Sequence, residues 1–455
     1  MKASEYRELQ KREKEEFRSI NHNLILGRML LDGTLDNILS FHTHNFEDIQ
    51  KNQLEKLKKI VDFSYLNIPL YKRKYDAVGY KVGDIKTFDD FEKLPLLTKD
   101  ELIEGFPNDI VKDITDFKYS TRSSGSSGKF VTMALNLNAI YLDTLQGIRQ
   151  FKFQSDNFYT KEDTVLFIYT CPWWIKNISG QYNLDFLPTT TSPLEALEYI
   201  KKIRPLIIST YPTYLQTLCD LDVKLTNYGV KYVIVHSEQS TKSARLDMGQ
   251  KLGVTVYDEY SSEELTRIAL ECKAGHYHIE EDASYIEVLN PQTRKNIKTG
   301  TGVVVGTNLL NTATPIIRYY LGDIVTIDTN KTCSCGHKGR ILTEIQGREM
   351  DCIISGNNTL PASAFMDIAY NWFLTSKIPI QGMRYQIAQL SKKRIVVFLK
   401  KGMYSLDNDD FKKIRESLYK LVSRDITIDI QYVDNFIYKS NKFKPVINLI
   451  GEDDG

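Results

Sequence analysis

The stretch PLIISTYPTYLQTLCDLDVKLTNYGVKYVIVHSEQSTKSARLDMGQKLGVTVYDEY, residues 205–260, decides the fold. It contains three short runs, PLIIST (205–210), KYVIVHS (231–237) and VTVYDEY (254–260). Each is short and rich in β-branched or aromatic residues, so each reads as a strand. YPTYLQTLCDL and TKSARLDMGQKLG lie between them and read as helices. Strand, helix, strand at this spacing is the pattern of parallel βαβ units. The same pattern starts further upstream, with the strand TVLFIYT (164–170) and the amphipathic helix SPLEALEYIKKI (192–203). In sheets of this kind, ligands bind at the carboxyl ends of the strands.

On the N-terminal side, residues 1–60 read as mostly helical. In NQLEKLKKIVDFSYL, Leu54, Leu57, Ile60, Val61 and Tyr65 recur at intervals of three and four, which buries one helix face. Further on, KTFDDFEKLPLLTKDELIEGF places Thr98 where it can cap a short helix. On the C-terminal side, SYIEVLNPQT, GTGVVVGTNL and IVTIDTN have hairpin spacing and predict an antiparallel portion. A boundary falls at GREMD (347–351), dividing a large body, 1–346, from a small α+β unit, 347–455. The small unit reads as strands MRYQIAQL and KRIVVFLK, helix NDDFKKIRESLYKLVSRD, strand ITIDIQYV and a basic loop, YKSNKFKPV. A chain of 455 residues is too long for one ordinary domain and is expected to hold two or three.

Charge and cysteine content narrow the function. Lys plus Arg number 59 and Asp plus Glu 58, a net charge of +1, so a nucleic-acid partner or a polybasic membrane surface is not expected. The first residues, MKASEYRELQKREKEEF, lack the apolar core of a signal peptide, and no apolar run is long enough for a membrane span. The expectation is a soluble, cytoplasmic chain in a reducing compartment, where clustered cysteines point to metal. There are six. Cys272 with His278, and Cys333 with Cys335, offer three thiols and an imidazole, the ligand set of a structural Cys₃His zinc site. His276 and His337 compete for the fourth position, and Cys171, Cys219 and Cys352 read as core thiols.

Four further segments carry chemistry, and each alone has a plain alternative. STRSSGSSGKF (120–130) brings glycines, hydroxyls and Lys129 together as an anion nest, or is a flexible linker. It is not a P-loop, because only two residues separate Gly125 from Gly128 and Phe130 follows the lysine. YDEYSSEE (257–264) is a strand-end acidic group fit for a magnesium–phosphate complex, or a solvated helix start. IIRYYLGDIVTI (316–327) places Asp323 in a Gly–Asp turn where it can accept from a ribose diol. KSNKFKPV carries Lys442 and Lys444, which matter only if the small unit brings one of them to the site.

In this order the segments resemble the acyl-adenylate-forming superfamily, and within it the phenylacetate–coenzyme A ligase-like branch, which includes adenylate-formers of capsular polysaccharide biosynthesis. The resemblance runs from about residue 50 to 450. IPLYKRKYDAVGYKVGDIKTFDDFEKLPLLTKDEL is similar to the branch's signature ending in Pro-x-x-Thr-Lys; SSGSSGKF stands at its Ser/Thr/Gly-rich loop. YSSEE matches Tyr-Gly-x-Thr-Glu, RYYLGD matches Arg-Tyr-Arg-Thr-Gly-Asp, GREMD matches the Gly-Arg-x-Asp-Asp hinge and NKFK stands near the Gly-Lys. The resemblance implies an α/β fold: a large N-terminal adenylate-forming domain with βαβ-type sheets and a small, mobile C-terminal lid. It implies that Ser123, Ser124, Gly125, Ser126, Ser127, Gly128 and Lys129 hold ATP phosphates and that His236, Ser237 and Glu238 border adenine. Asp258, Glu259, Tyr260 and Ser261 would lie along the adenylate, and Glu264 would bind Mg²⁺. Asp323 and Arg348 would hold the ribose, and Lys442 would reach the α-phosphate and the acid. A zinc knuckle in some members is matched by Cys272, His278, Cys333 and Cys335. Departures are Ser261 for Gly, Glu263 for Thr, Tyr320 and Leu321 for Arg and Thr, Met350 for the first hinge acid and Asn441 for Gly.

The function implied is ATP-dependent activation of a small organic acid, aromatic if Trp173 and Trp174 line its pocket, with pyrophosphate release and transfer to coenzyme A. The alternative acceptor is a carrier protein, an amine or a sugar hydroxyl. The third reading is a non-catalytic, zinc-stabilised relative. A homodimer is among the expected states.

Overall fold

In the computed structural model, the strands read from 205–260 stand side by side. The structure describes residues 3–112, 118–123, 129–171, 175–374, 376, 378, 384–402, 405–438 and 442–450. Ile207–Thr210, Tyr232–His236 and Thr255–Ser262 are parallel neighbours, and Thr164–Tyr169 continues the parallel run on the outer side. A further strand, Asn183–Pro188, lies parallel to 164–169 and makes the edge; its partly exposed residues hid it from the sequence reading.

The helices between these strands form for local reasons. Ser192 caps Pro193–Ile203 with a reciprocal bond to Glu195, and Pro193 occupies a first-turn position where its missing N–H costs nothing. Thr241 caps Lys242–Leu252, and Gly253, at φ 72°, ends it in the left-handed conformation that glycine adopts freely. These helices bury Leu197, Ile200 and Met248 against Ile208, Val233 and Val235. The opposite sheet face carries Val165, Ile207 and Ile234, covered by helix Leu137–Gln154 and by the N-terminal helices through Phe17 and Leu26. Apolar side chains on both faces explain why these strands lack alternation.

The antiparallel portion is not a separate sheet. Among the described residues, one eleven-stranded sheet runs from 183–188 through 255–262 and on to Thr266–Glu271, Tyr277–Ile279, Ile341–Arg348, Tyr319–Asp328, Thr299–Asn308 and Ser284–Leu289. Helix Phe46–Asn67 packs Leu57, Ile60 and Val61 into the core beneath that half, as the three-and-four spacing predicts.

Residues from 353 onward build a second core. A four-stranded sheet orders Thr427–Val433, Arg394–Lys400, Tyr385–Ser391 and Val446–Asn448. Helices Ala362–Leu374 and Asn408–Leu418 cover it, with Trp372 Nε1 donating to Ser417 Oγ at 2.8 Å. The second helix stops at Leu418, short of the predicted 425, because Ser423 and Asp425 favour turns over helix interior. The helix at 362–374 and the short strand 446–448 were not read from the sequence.

Candidate active site

A cavity of about 440 Å³ opens at the carboxyl ends of the parallel strands, between the large sheet and the second core. The chain leaves strand 232–236 through Ser237, whose φ of 70° turns the backbone and presents Ser237 and Glu238 to the cavity. Strand 255–262 contributes Asp258, Glu259, Tyr260 and Ser261, and its exit contributes Glu263 and Glu264. Ser123, Asp323, Arg348 and Lys442 of the predicted set also line it. Six segments separated by tens to hundreds of residues therefore meet in one space.

Asp323 is the best-anchored acid. Tyr260 OH donates to its Oδ2 at 2.8 Å, and Arg348 Nε lies 3.2 Å from its Oδ1. The pairing is set by the sheet, since Asp323 and Arg348 are register partners on adjacent antiparallel strands. The Asp323 carboxylate raises the Arg348 guanidinium above its usual range. The two carboxylate oxygens are thus aimed from both sides, and their remaining lone pairs can take a diol.

Glu264 is buried, with Tyr319 OH at 3.4 Å from its carboxylate, and a buried carboxylate facing an open cavity is a fit ligand for a hard divalent ion. Glu238 accepts from Thr213 Oγ1 at 2.7 Å, and loss of solvent raises its carboxyl above the ordinary value. Burial holds His236 down to about 4, so it is neutral at physiological pH. Its ring sits against Tyr169 and Tyr211, which stack on each other at 5.0 Å.

The two candidate lysines separate cleanly. Lys444 Nζ is 2.5 Å from Asp351, the hinge acid, and both groups are largely buried. Lys442 is half-buried and faces Glu263, Glu238 and Glu264; loss of solvent lowers its ammonium, and Glu263 acts in the opposite sense. Lys442 is therefore the lysine directed at the strand-end carboxylates.

Other expectations meet the structure differently. Lys129 does not line the cavity; its Nζ is 2.7 Å from Asp100 on the surface. Ser124, Gly125, Ser126, Ser127 and Gly128 lie outside the described residues, as do Trp173 and Trp174. Lys99 lines the cavity and was missed as a site residue, although it is the lysine of the quoted PLLTK. Burial and the nearby Arg348 lower its ammonium. Its position follows from pairing: Leu97 bridges Tyr319, with Leu97 N donating to Arg318 O at 2.8 Å and Tyr320 N to Leu97 O at 2.9 Å. Arg318 donates to the carbonyls of Glu92 and Leu94, so the first arginine of RYYLGD anchors this segment. Tyr320, standing where the motif has its second arginine, donates to Glu349 at 2.8 Å and accepts from Arg294 at 3.0 Å. Arg294 thereby brings a guanidinium back to the hinge.

The Cys/His set also converges. Cys272, His278, Cys333 and Cys335 place one donor atom each within 4.8 Å of one another. Cys272 and Cys333 sulfurs are 3.6 Å apart, and Cys335 Sγ is 3.1 Å from His278 Nε2. These separations suit a tetrahedral ion with metal–sulfur distances near 2.3 Å. Hydrogen bonding from Cys335 favours the thiolate of Cys272. His276 Nδ1 touches Cys333 at 3.4 Å but is not one of the four mutually close donors. His337 is not one of the four either; it lies with His42 and Glu280, and Gly339 N–H donates to its Nδ1 at 2.9 Å. The cluster touches the adenylate side through Tyr277, next to His278, whose OH donates to Asp258 at 2.7 Å and accepts from Arg245 at 3.1 Å.

No family model matches the chain. Phenylacetate–coenzyme A ligase of Escherichia coli (strain K12) is 26% identical over 354 residues, 73% of this chain and 78% of the relative. The enzyme of the same name from Aromatoleum evansii is 27% identical over 333 residues, 69% and 74% respectively. The chain is similar to the phenylacetate–coenzyme A ligases over most of its length. The fold agrees. A 2-hydroxyisobutyryl-CoA ligase structure in the postadenylation state, in complex with 2-HIB-AMP, aligns with TM-score 0.73 at 17% identity, covering 90% of this chain and 91% of that one. The same ligase in its thioesterification state aligns at 0.59, covering 89% and 91%. The chain therefore has the fold of these adenylate-forming ligases. No helix among its described residues is long and apolar enough to cross a membrane.

Proposed function

We propose that this chain is an AMP-forming acid–thiol ligase. It joins a small carboxylic acid to the α-phosphate of ATP, releases pyrophosphate and passes the acyl group to coenzyme A. The observation that carries the reading is the meeting of Lys442, Glu264 and the Asp323–Arg348 pair in one cavity.

The chemical problem is repulsion, because an anionic carboxylate must attack an anionic phosphorus. Preorganised charge and in-line positioning are what lower that barrier. Asp323, steadied by Tyr260 and Arg348, holds the ribose and so fixes the α-phosphate along the cavity. Ser237 and Glu238 border the base. Lys442 supplies the cation between the incoming carboxylate and the α-phosphate, and Ser123 and Lys99 face the phosphates. Mg²⁺ on Glu264 neutralises phosphate charge when bound. Cys272, His278, Cys333 and Cys335 would hold Zn²⁺, which would fix the strands behind Asp258 as a structural ion.

Residues 347–455 act as the lid, and 348–351 as its hinge. After adenylation the lid turns, withdraws Lys442 and admits the thiol. Arg294 and Tyr320 hold Glu349 of that hinge, while Lys444 holds Asp351 and travels with the lid. The free thiols of the Cys/His group support a reducing, cytoplasmic setting.

ATP-dependent pyrophosphate release over an acid library, run with and without coenzyme A, tests the reading. Acid-dependent release and an acyl-CoA product are expected. Release with no acyl-CoA, but with acyl transfer to a carrier protein, amine or sugar, moves the acceptor to the alternative. No release with any acid leaves a zinc-stabilised binding protein.

A further inference from the structure

One side of the cavity is charged in the wrong sense for an apolar acid. Along strand 255–262, alternate residues face opposite sides of the sheet. Asp258 and Tyr260 engage Tyr277, Arg245 and Asp323 on one side. Glu259 turns to the other, where Gln150 of helix 137–154 donates to it at 2.7 Å. Glu263, just beyond the strand, lines the cavity as an exposed carboxylate and, among the described residues, accepts one hydrogen bond, from Thr121 Oγ1 at 2.8 Å.

Among the described residues, three of the cations on that side have other partners. Arg267 gives one nitrogen to Asp143 and another to Gln150. Arg348 is on Asp323 and Lys444 on Asp351. Lys442 faces Glu263 here, but in the proposed reaction its charge goes to the α-phosphate and the reacting carboxylate. Once nucleotide and acid fill the cavity and displace water, Glu263 is a desolvated carboxylate beside the reacting centre. A phenyl or alkyl tail would leave it uncompensated, which is costly. A cationic nitrogen a short distance from the substrate's own carboxyl would compensate it.

We infer that Glu263 is a specificity residue that receives the ammonium group of an amino acid substrate, the nitrogen lying one or two carbons from the reacting carboxyl. The inference rests on the ligase reading above and narrows its acid. Glu263 stands where the related motif carries threonine, so the charge belongs to this chain rather than to the adenylation machinery. A site built to pair a polar substrate group rejects the analogue lacking it strongly, because its own group is then left unpaired.

The experiment compares matched acids, alanine with propionate, β-alanine with propionate and phenylalanine with 3-phenylpropionate, by pyrophosphate release in wild type, Glu263→Gln and Glu263→Thr. The readout is the kcat/KM ratio of amino acid to des-amino acid within the best pair. Wild type is expected to favour the amino acid by on the order of 100-fold. Glu263→Gln should bring the ratio to within a few-fold of one, chiefly through KM, and Glu263→Thr should bring it to one or below. A melting curve on each variant separates misfolding from changed preference, since misfolding lowers both rates and keeps the ratio. A wild-type preference for des-amino acids, or a ratio unchanged in both variants, overturns the inference and leaves the ligase reading standing. Silence with every acid in wild type removes the ligase reading and this inference with it.

Discussion

The adenylate cavity and the Cys/His cluster are both lined by polar, ionisable side chains, yet they are built oppositely. In the cluster, four donors lie within 4.8 Å of one another and are directed at a common centre. In the cavity, the charged groups line some 440 Å³ of open space. Asp323 is braced from two sides, Glu264 is buried with one long contact to a tyrosine, and Lys442 faces three carboxylates. The difference teaches that polar residues can be buried either to meet each other around an ion or to wait for a ligand. The first arrangement stabilises; the second does chemistry. Tyr277, bonded to Asp258 and adjacent to His278 of the cluster, joins them.

Perturbing each region alone should break different things. The largest effect is expected from Lys442→Ala, which should lower kcat for pyrophosphate release by about 10³-fold with an unchanged melting temperature, because an electrostatic contact of the transition state is lost. Glu264→Gln should cost about 10²-fold in the same assay and raise the Mg²⁺ concentration needed for half-maximal rate. Cys333→Ser should act on the other region, abolishing stoichiometric zinc in metal analysis and lowering the melting temperature by several degrees. If zinc content is unchanged in that variant, the contrast between the regions collapses. Tyr277→Phe tests the joint. Losing its bonds to Asp258 and Arg245 should lower activity about tenfold with zinc retained, the scale of one hydrogen bond.

The smallest effect is on pH dependence. His236 titrates near 6.5 when unfolded and is held down to about 4 in the fold. The folded state therefore binds fewer protons between those values. Stability from this group is fully present above 6.5 and is lost as pH falls toward 4, at no more than about 1.4 kcal/mol per pH unit. Replacing His236 by Asn should flatten that part of the stability curve, read by denaturant titration across the range.

What the sequence displayed was local. Four of the five parallel strands between 164 and 260 were legible because each is a short apolar run, and the helices at 193 and 242 because Ser192 and Thr241 cap them. The hidden parts depend on distant partners. Nothing near Lys99 says that Leu97 pairs with Tyr319 more than two hundred residues later. Nothing near His337 reveals that it lies with His42 and Glu280, or near His42 that it lies 2.7 Å from Glu280. The fusion of parallel and antiparallel portions into one sheet is likewise a long-range fact, made where strand 255–262 pairs with 266–271. Conversely, Glu263 was visible as a departure from a motif, but its setting beside Thr121 and Lys442 required the fold.

The central claim is that Lys442 and the strand-end carboxylates form one adenylating centre. The measurement that tests it most directly is acid-dependent exchange of labelled pyrophosphate into ATP, compared between wild type and Lys442→Ala. Exchange in wild type that needs both Mg²⁺ and a carboxylic acid, and that falls by about 10³-fold in the variant, is the predicted result. Exchange that proceeds equally well in Lys442→Ala, or that no acid elicits from wild type, would contradict it.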